Sequence, residues 1–391
     1  MIRFAIPLSI VLLAGAVVSG AAGQEGASKN EDELKDSIEI LDDRDQKIGE
    51  LPAERVYLPD FNNVPRQRGD AKLGVTKAGH VYVAMWKKLY WSQDEGRTWQ
   101  ERDLPVESGG FGVLRDDTFI VFTGYPRCGT LRSTDYGRSW SEFMPLDIAP
   151  FGTGGGGWTH FHQLPDGTAL MTVTLQYGDA TKDRGPQNPL PPEKLGLFDH
   201  IFRSTDSGKT WGEKTLIVPE SAESSLIRLK SGKMLAAIRK QRLPQRLLPG
   251  DDVEKLKAID GWRDGKPYIK HAFLADSDDN GYTWKNERLA PAAPSMKHGL
   301  CPSEFIQFPD ERVVWIYTHR YGKDNGVMAR VSRDDGKTWS AERYRVRHLR
   351  GKDGTYPSST ILNDGTILTV CGKNRKSLAI AIRWRLPKIQ E

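Results

Sequence analysis

The chain has 391 residues, of which 27% are charged and 38% are hydrophobic, and its formal net charge is +5. This composition excludes a disordered chain, and a charge this small without a basic block gives no reason to expect a nucleic-acid partner. Three cysteines, an odd number, do not make a disulfide framework, and no cysteine or histidine spacing fits a zinc site. We therefore expect a globular protein without a metal ion or a cofactor.

The N-terminus has the composition of a secretory signal peptide. Arg3 supplies a positive charge, Phe4–Val18 is mostly apolar, and Ser19–Gly23 supplies small residues for cleavage. An uncleaved anchor is the alternative, but the apolar run is short for a transmembrane helix. We expect secretion or export to the periplasm, with no stable membrane insertion after cleavage. The predicted segments are a signal peptide (1–23), a polar, mostly acidic linker or short surface helix (24–50) and a folded domain (51–391).

An eight-residue pattern, Ser-x-Asp-x-Gly-x-(Thr/Ser)-Trp, occurs five times. Its aspartate can accept N–H bonds across a tight turn, its glycine can adopt a positive φ, and its tryptophan can cover the core beside the turn. A pattern kept this often indicates an internal repeat. We call each copy an Asp box. The five copies are Ser92–Trp99, Ser133–Trp140, Ser204–Trp211, Ser277–Trp284 and Ser332–Trp339.

Between the boxes, β-rich runs alternate with Asp-Gly or Ser-Gly pairs, which predict hairpins. Each repeat unit then has four antiparallel strands, as in a propeller blade. We predict an all-β fold, a six-bladed β-propeller of four-stranded antiparallel blades. Because the last unit lacks an Asp box and needs an edge partner, we expect Arg55–Leu58 to close the ring. The six units start near Asp70, Gly109, Trp158, Glu223, Pro302 and Tyr356.

The register of the units predicts which side chains meet at the central channel. Asp70, Trp158, Glu223 and Tyr356 each lie nine positions before the hairpin glycine of their own blade. Equivalent positions of a propeller converge on the axis, so these four side chains should share one mouth. Trp158 is a candidate platform for sugar stacking, with a contact between blades as the alternative.

His160 and His162 point to the same face of their strand. They are expected to line the channel, with His160 among the substrate-binding candidates. A metal site built on the two is the less favoured alternative.

Five Asp boxes on a six-unit pattern resemble the sialidase (neuraminidase) superfamily of six-bladed propellers, over roughly Leu58–Pro387. The resemblance implies that the box aspartates are structural and lie on the outer rim, away from the active site. It also implies a tyrosine nucleophile, Tyr356, with Glu223 as its base partner. Arg239 and Arg320 match two of the three arginines that hold the substrate carboxylate in that family.

Two features depart from the family. Its first arginine motif, Phe/Tyr-Arg-Ile-Pro, is absent, and Arg68 occupies about the right place, with Arg66 as the rival. The loop after the second strand of blade 1, which carries the family's acid, has almost disappeared between Ala84 and Leu89. Asp70 is the candidate substitute for this acid by register. Loss of general acid catalysis would cost a rate factor of roughly 10²–10⁴.

The chemistry of the candidates is consistent with an anionic sugar. A tyrosine is a weak nucleophile at its ordinary pKa near 10, and a glutamate beside it can take the phenolic proton. A neutral tyrosine also avoids placing a carboxylate against the substrate's own negative charge.

Three hypotheses follow. The first is a monomeric, sialidase-like exo-glycosidase that removes a terminal acidic sugar from a glycan or glycoconjugate. The second is a glycan-active enzyme for another sugar, or a uronate lyase that uses Tyr356, His160 or His162 as its base. The third is a propeller that binds glycans without catalysis.

Overall fold

The structure is a computed structural model. It describes residues 37–59, 70–124, 127–154, 159–177, 197–242, 262–263, 266–267, 269–291, 300–319, 326–349, 355–372 and 379–387. Within these residues, no helix has the length and hydropathy needed to cross a membrane. The predicted signal peptide lies outside the described residues.

The described strands form six antiparallel blades in chain order. The strands of blades 1 and 2 are β3 (Lys72–Val75), β4 (Val81–Ser92), β5 (Gln100–Ser108), β6 (Gly110–Val113), β7 (Phe119–Thr123), β8 (Gly129–Ser133) and β9 (Met144–Pro145). Those of blade 3 are β10 (Thr153–Gly154), β11 (Phe161–Gln163), β12 (Ala169–Gln176), β13 (Phe198–Ser204) and β14 (Gly212–Leu216).

Blade 4 and the short hairpin within it contain β15 (Ser221–Arg228), β16 (Met234–Arg242), β17 (Trp262–Arg263), β18 (Lys266–Pro267), β19 (Ile269–Ser277) and β20 (Lys285–Leu289). Blades 5 and 6 contain β21 (Leu300–Gln307), β22 (Val313–His319), β23 (Gly326–Ser332), β24 (Arg343–His348), β25 (Pro357–Ile361), β26 (Ile367–Cys371) and β27 (Ile380–Trp384). The N-terminal strands are β1 (Ser37–Leu41) and β2 (Lys47–Tyr57).

The hydrophobic core is divided among the contacts between neighbouring blades. Each pair of consecutive blades shares a buried cluster, and the sixth cluster joins the last blade to the first. In that cluster, Leu368 and Val370 of blade 6 pack with Val81 and Val83 of blade 1. The ring is therefore closed, and the predicted six-bladed all-β propeller is confirmed.

In blade 1, strand β4 occupies the positions of two strands. Its first half pairs with β3 and its second half with β5. Trp86, where the pairing changes, has a φ of 52°. Tyr82 and Leu89 nevertheless belong to one buried cluster with Phe119. An extended strand would hold residues seven positions apart at about 23 Å, so β4 reverses tightly at Trp86 and leaves no loop there.

The N-terminal strands close the ring and correct the predicted linker. Residues of β2 pair with β27, from Ala53 opposite Trp384 to Tyr57 opposite Ile380, which confirms the expected closing strand. The second half of the predicted linker is not a linker, because β1 pairs with both β2 and β24. The strands of blades 5 and 6 thereby join β1 and β2 in one nine-stranded sheet. The polar composition of this segment hid β1, because the strand buries few side chains, chiefly Ile38 and Leu41.

The Asp boxes adopt the predicted turn. In the third copy, Asp206 Oδ1 accepts the Thr210 N–H at 2.9 Å and the Ser204 hydroxyl at 2.8 Å, while Oδ2 accepts the Thr210 hydroxyl at 2.6 Å. Each of the other copies repeats these three bonds. The glycine of every copy has a positive φ. The box tryptophans pack against the clusters between blades. The predicted structural role of the box is confirmed.

Candidate active site

The inner strands of blades 1, 2, 3, 5 and 6 line a cavity of about 110 Å³. Its polar walls are formed by Lys72, His160, His162 and Glu304, from blades 1, 3 and 5. Lys72 and His160 each lie two residues after a predicted mouth position. Since side chains two positions apart on a strand point to the same face, Lys72 and His160 are expected to point into the channel as well. The channel therefore has a second layer of ionisable groups beneath the mouth.

At the mouth, the structure brings together three of the candidates from the sequence. The Tyr356 hydroxyl donates a hydrogen bond to Glu223 Oε1 at 3.1 Å. Arg239 Nη1 lies 3.0 Å from the same carboxylate oxygen. Arg239 reaches it from β16, where it pairs with Ala222 of the neighbouring strand, whereas Tyr356 comes from blade 6. A phenol is thus joined to a carboxylate that an arginine neutralises.

Glu223 lies at a β-bulge. The register between β15 and β16 shifts between Ala222 and Ser225, and Glu223 has a φ of 51°. A residue other than glycine in the left-handed region is uncommon and costs free energy, so the surrounding structure must hold it there. Because side chains alternate along a strand, the extra residue changes the direction of Glu223 relative to a regular strand.

Lys72 is the buried lysine of the layer below the mouth. Burial lowers the pKa of this lysine to about 7, against the opposing effect of the negative charges of Asp70, Glu304 and Glu223. The lysine side chain is 4% exposed. These interactions place Asp70, the candidate acid, within electrostatic range of Lys72 together with the other two carboxylates. No other observation in the described residues assigns Asp70 a role, and its role as the acid stays a prediction.

The two channel histidines hold blade 3 to blade 4. His160 Nδ1 accepts the Leu226 N–H at 3.3 Å, and His162 Nε2 accepts the Arg228 N–H at 3.2 Å. Burial, followed by the positive charges of His160, Arg115 and Arg228, lowers the pKa of His162 to about 3. His160 Nε2 lies 3.8 Å from Glu304 Oε1, so its ring edge faces the channel. Within the described residues, no group of three metal-ligand side chains includes either histidine.

Glu304 links blades 5 and 6, as the two histidines link blades 3 and 4. Its Oε2 accepts the backbone N–H of Ser359 at 2.6 Å, while its Oε1 faces His160 across the channel. The sequence alone gives Glu304 no specific role.

Several other candidates lie outside the described residues. These are the expected substrate-binding residues Arg68, Arg320 and Trp158, with the rival Arg66. Two residues that matter for the site were missed from the sequence, namely Lys72 and Asp199. Lys72 could have been found from its position two residues after Asp70, whereas Asp199 follows a variable loop and gave no signal.

Comparison with known proteins bears on the family and the fold. Residues 122–368 match the family model of the BNR repeat-like domain. Xyloglucanase Xgh74A of Acetivibrio thermocellus is 31% identical over 138 residues, which are 31% of this chain and 15% of that enzyme. The chain thus spans only a small part of this curated relative.

Two solved structures share the architecture. The Hadza microbial sialidase Hz136 has a TM-score of 0.58 at 15% identity, covering 83% of this chain and 67% of that chain. The alpha-L-arabinanase of Penicillium chrysogenum has a TM-score of 0.59 at 11% identity, covering 89% and 98%. At these identities the likeness is one of fold. Since the family model covers more than half of a chain with five Asp boxes on six blades, the chain belongs to the BNR repeat-like domain family.

Proposed function

We propose that this protein is an exported glycosidase that removes a terminal acidic sugar of the sialic-acid type from a glycan. The observation that carries the proposal is the contact between the Tyr356 hydroxyl and Glu223, with Arg239 on the same carboxylate oxygen. A tyrosine bonded in this way can lose its proton to the carboxylate as it attacks. The names of the similar sialidase and arabinanase support activity on a carbohydrate.

The proposed reaction has two steps. In the first, the phenolic oxygen of Tyr356 bonds to the anomeric carbon, its proton passes to Glu223, and the bond to the leaving-group oxygen breaks. Asp70 is proposed to protonate that oxygen. In the second, water attacks the anomeric carbon and gives a proton to the Asp70 carboxylate, the glycosyl–tyrosine bond breaks, and Glu223 returns its proton to the phenolate. Arg239 stabilises the charges that form on the carboxylate and on the phenolate. Arg68 and Arg320 are proposed to hold the substrate carboxylate.

Hydrolysis of a fluorogenic aryl sialoside tests this proposal. Wild-type protein should release the fluorophore, and Glu223→Gln should lower kcat/KM by roughly 10²–10⁴-fold, the usual contribution of a general base. Tyr356→Phe should lower it at least as far, because no nucleophile remains. Tyr282→Phe is the matched control, since this tyrosine is 48% exposed on an Asp-box turn and bonds to Glu213. An aryl arabinofuranoside should be tested in parallel.

Full release by Tyr356→Phe would exclude the tyrosine as the nucleophile. Release of arabinose but not of the acidic sugar would transfer the proposal to a neutral substrate. No release by the wild-type protein from either substrate would remove the glycosidase proposal for both sugars. Glycan binding without turnover would then be the favoured function.

A further inference from the structure

Blade 3 supports the bulge that presents Glu223. A bulge withdraws backbone groups from the ladder, and buried groups of this kind need other partners. The Glu223 N–H donates to Thr174 Oγ1 at 3.2 Å, and the Ser224 N–H donates to Asp199 Oδ2 at 2.7 Å. The Ser224 carbonyl accepts the hydroxyl of Thr172 at 3.0 Å. Three side chains of the preceding blade thus replace the missing ladder bonds.

These side chains are linked to each other. Thr174 and Asp199 are opposite residues of β12 and β13, and the Thr174 hydroxyl donates to Asp199 Oδ1 at 2.5 Å. The Asp199 N–H donates to Ser221 Oγ at 2.8 Å, and Ser221 lies at the start of β15, two residues before Glu223. Asp199 therefore contacts the bulge on both sides of Glu223.

The burial of Asp199 separates its role from that of the mouth residues. Asp199 is 1% exposed, and Thr174 is 7% exposed. Burial raises the pKa of Asp199, while its bonds with Ser224 and Thr174 oppose the shift. A carboxyl group is costly in such a place unless each oxygen is bonded. Asp199 is buried, and the residue of the mouth that lies between its two bonds to β15 and contacts Tyr356 is Glu223.

We propose that Asp199, together with Thr174, is a positioning residue that holds Glu223 in the left-handed bulge and thereby keeps its carboxylate against Tyr356. This proposal rests on the proposed function only for the expected loss of rate in the variants. The expected change in geometry can be measured without a substrate. An uncommon backbone conformation costs free energy and persists only where several surrounding contacts hold it. The side chains that accept the backbone N–H groups of the bulge therefore also fix the direction of the Glu223 side chain.

Crystal structures of the full-length variants test the geometry. In Asp199→Ala, the Ser224 N–H loses its acceptor, so residue 223 should leave the positive-φ region and the Tyr356–Glu223 hydrogen bond should break. Asp199→Asn should restore both, because its carbonyl can accept from Ser224 while its amide faces the Thr174 oxygen. Thr174→Val should act like Asp199→Ala, and Thr174→Ser should act like wild type. Thr130→Val, a change at a threonine of blade 2 that is 1% exposed, is the control for removal of a buried hydroxyl.

Kinetics on the aryl sialoside supply the second readout. Asp199→Ala and Thr174→Val should lose about 100-fold in kcat, which is what a displacement near 1 Å can cost, with KM changed much less. Asp199→Asn and Thr174→Ser should stay within tenfold of wild type. Both the displacement and the loss of rate must be absent from Thr130→Val.

The outcomes separate the two proposals. If Asp199→Ala keeps φ at residue 223 and keeps the bond to Tyr356, the positioning role is wrong, whatever the activity. If the glutamate moves while the wild-type protein hydrolyses no sialoside, the positioning role stands and the proposed function fails. If Asp199→Ala does not fold, Thr174→Val and its serine counterpart decide the question by the same two measurements.

Discussion

At the scale of single residues, the channel contains groups whose protonation differs between the folded and the unfolded chain. His162 is the clearest, because its Nε2 accepts a backbone N–H and its surroundings lower its pKa to about 3. In the unfolded chain the ordinary value near 6.5 applies. Between these values the unfolded state binds the extra proton, so the free energy of unfolding falls as the pH falls from 6.5 toward 3.

His162→Gln should flatten this pH dependence. Glutamine keeps an acceptor near the position of Nε2 but does not titrate, so up to about 1.4 kcal/mol per pH unit of slope should disappear between pH 6.5 and 4. Urea unfolding of both proteins over that range measures the slopes. At pH 8 both side chains are neutral, and any difference there reports the acceptor alone. Equal slopes would mean that His162 titrates normally in the folded protein.

At the scale of elements, the Asp box joins neighbouring blades as well as turning the chain. A β-carbon placed on Gly208 would lie 2.3 Å from Ile120 Cδ1 of blade 2, whereas one placed on the hairpin residue Gly167 would have no neighbour within 4 Å. Both glycines have a positive φ, 78° and 96°. The pair therefore separates the backbone requirement for glycine from the requirement for a close approach.

Gly208→Ala should destabilise the protein more than Gly167→Ala. Both replacements pay a backbone cost of roughly 1–2 kcal/mol for the left-handed conformation. Overpacking against Ile120 should add about 1–3 kcal/mol for Gly208→Ala alone. Ile120→Val shortens the opposing side chain, so the double variant with Gly208→Ala should recover part of this addition in a double-mutant cycle. Equal free energies of unfolding for the two alanine variants would contradict the close approach.

Features that recur in every blade could be predicted from the sequence, whereas single contacts between blades could not. The boxes and hairpin glycines fixed the blade count and the register, and the register brought Glu223 and Tyr356 to one mouth. Asp199 was not predictable, because its partner Ser224 lies 25 positions away across a blade interface. The bulge at Glu223 was also hidden, since its support comes from blade 3 and not from the local sequence.

At the scale of the whole molecule, the N-terminal strands join the last two blades. Ile38 of β1 is completely buried in the cluster of blades 5 and 6, together with Val346 and Ile382. Arg55 of β2 donates to the carbonyl oxygens of Ser37 and Val346, at 2.8 and 3.0 Å. The closure is thus held by a core contact as well as by the edges of strands.

Ile38→Ala tests how much the packing of β1 contributes to the free energy of unfolding. Removal of a buried isoleucine to alanine should lower the free energy of unfolding by roughly 2–5 kcal/mol. Ile48→Ala is the matched control, because Ile48 lies on β2 and is 55% exposed, and it should change stability by less than about 1 kcal/mol. Urea titrations compare the two variants. Similar losses in both would show that β1 adds little to the ring.

The closure by β2 also determines when the protein can finish folding during its synthesis. Ala53 and Tyr57 are made long before their partners Trp384 and Ile380. At 5–20 residues per second, the wait is on the order of half a minute. Throughout that time β2 lacks its partner strand in blade 6, so the ring stays open until β27 has been made. A ribosome-bound chain lacking its last strand should therefore be far more sensitive to protease than the released protein.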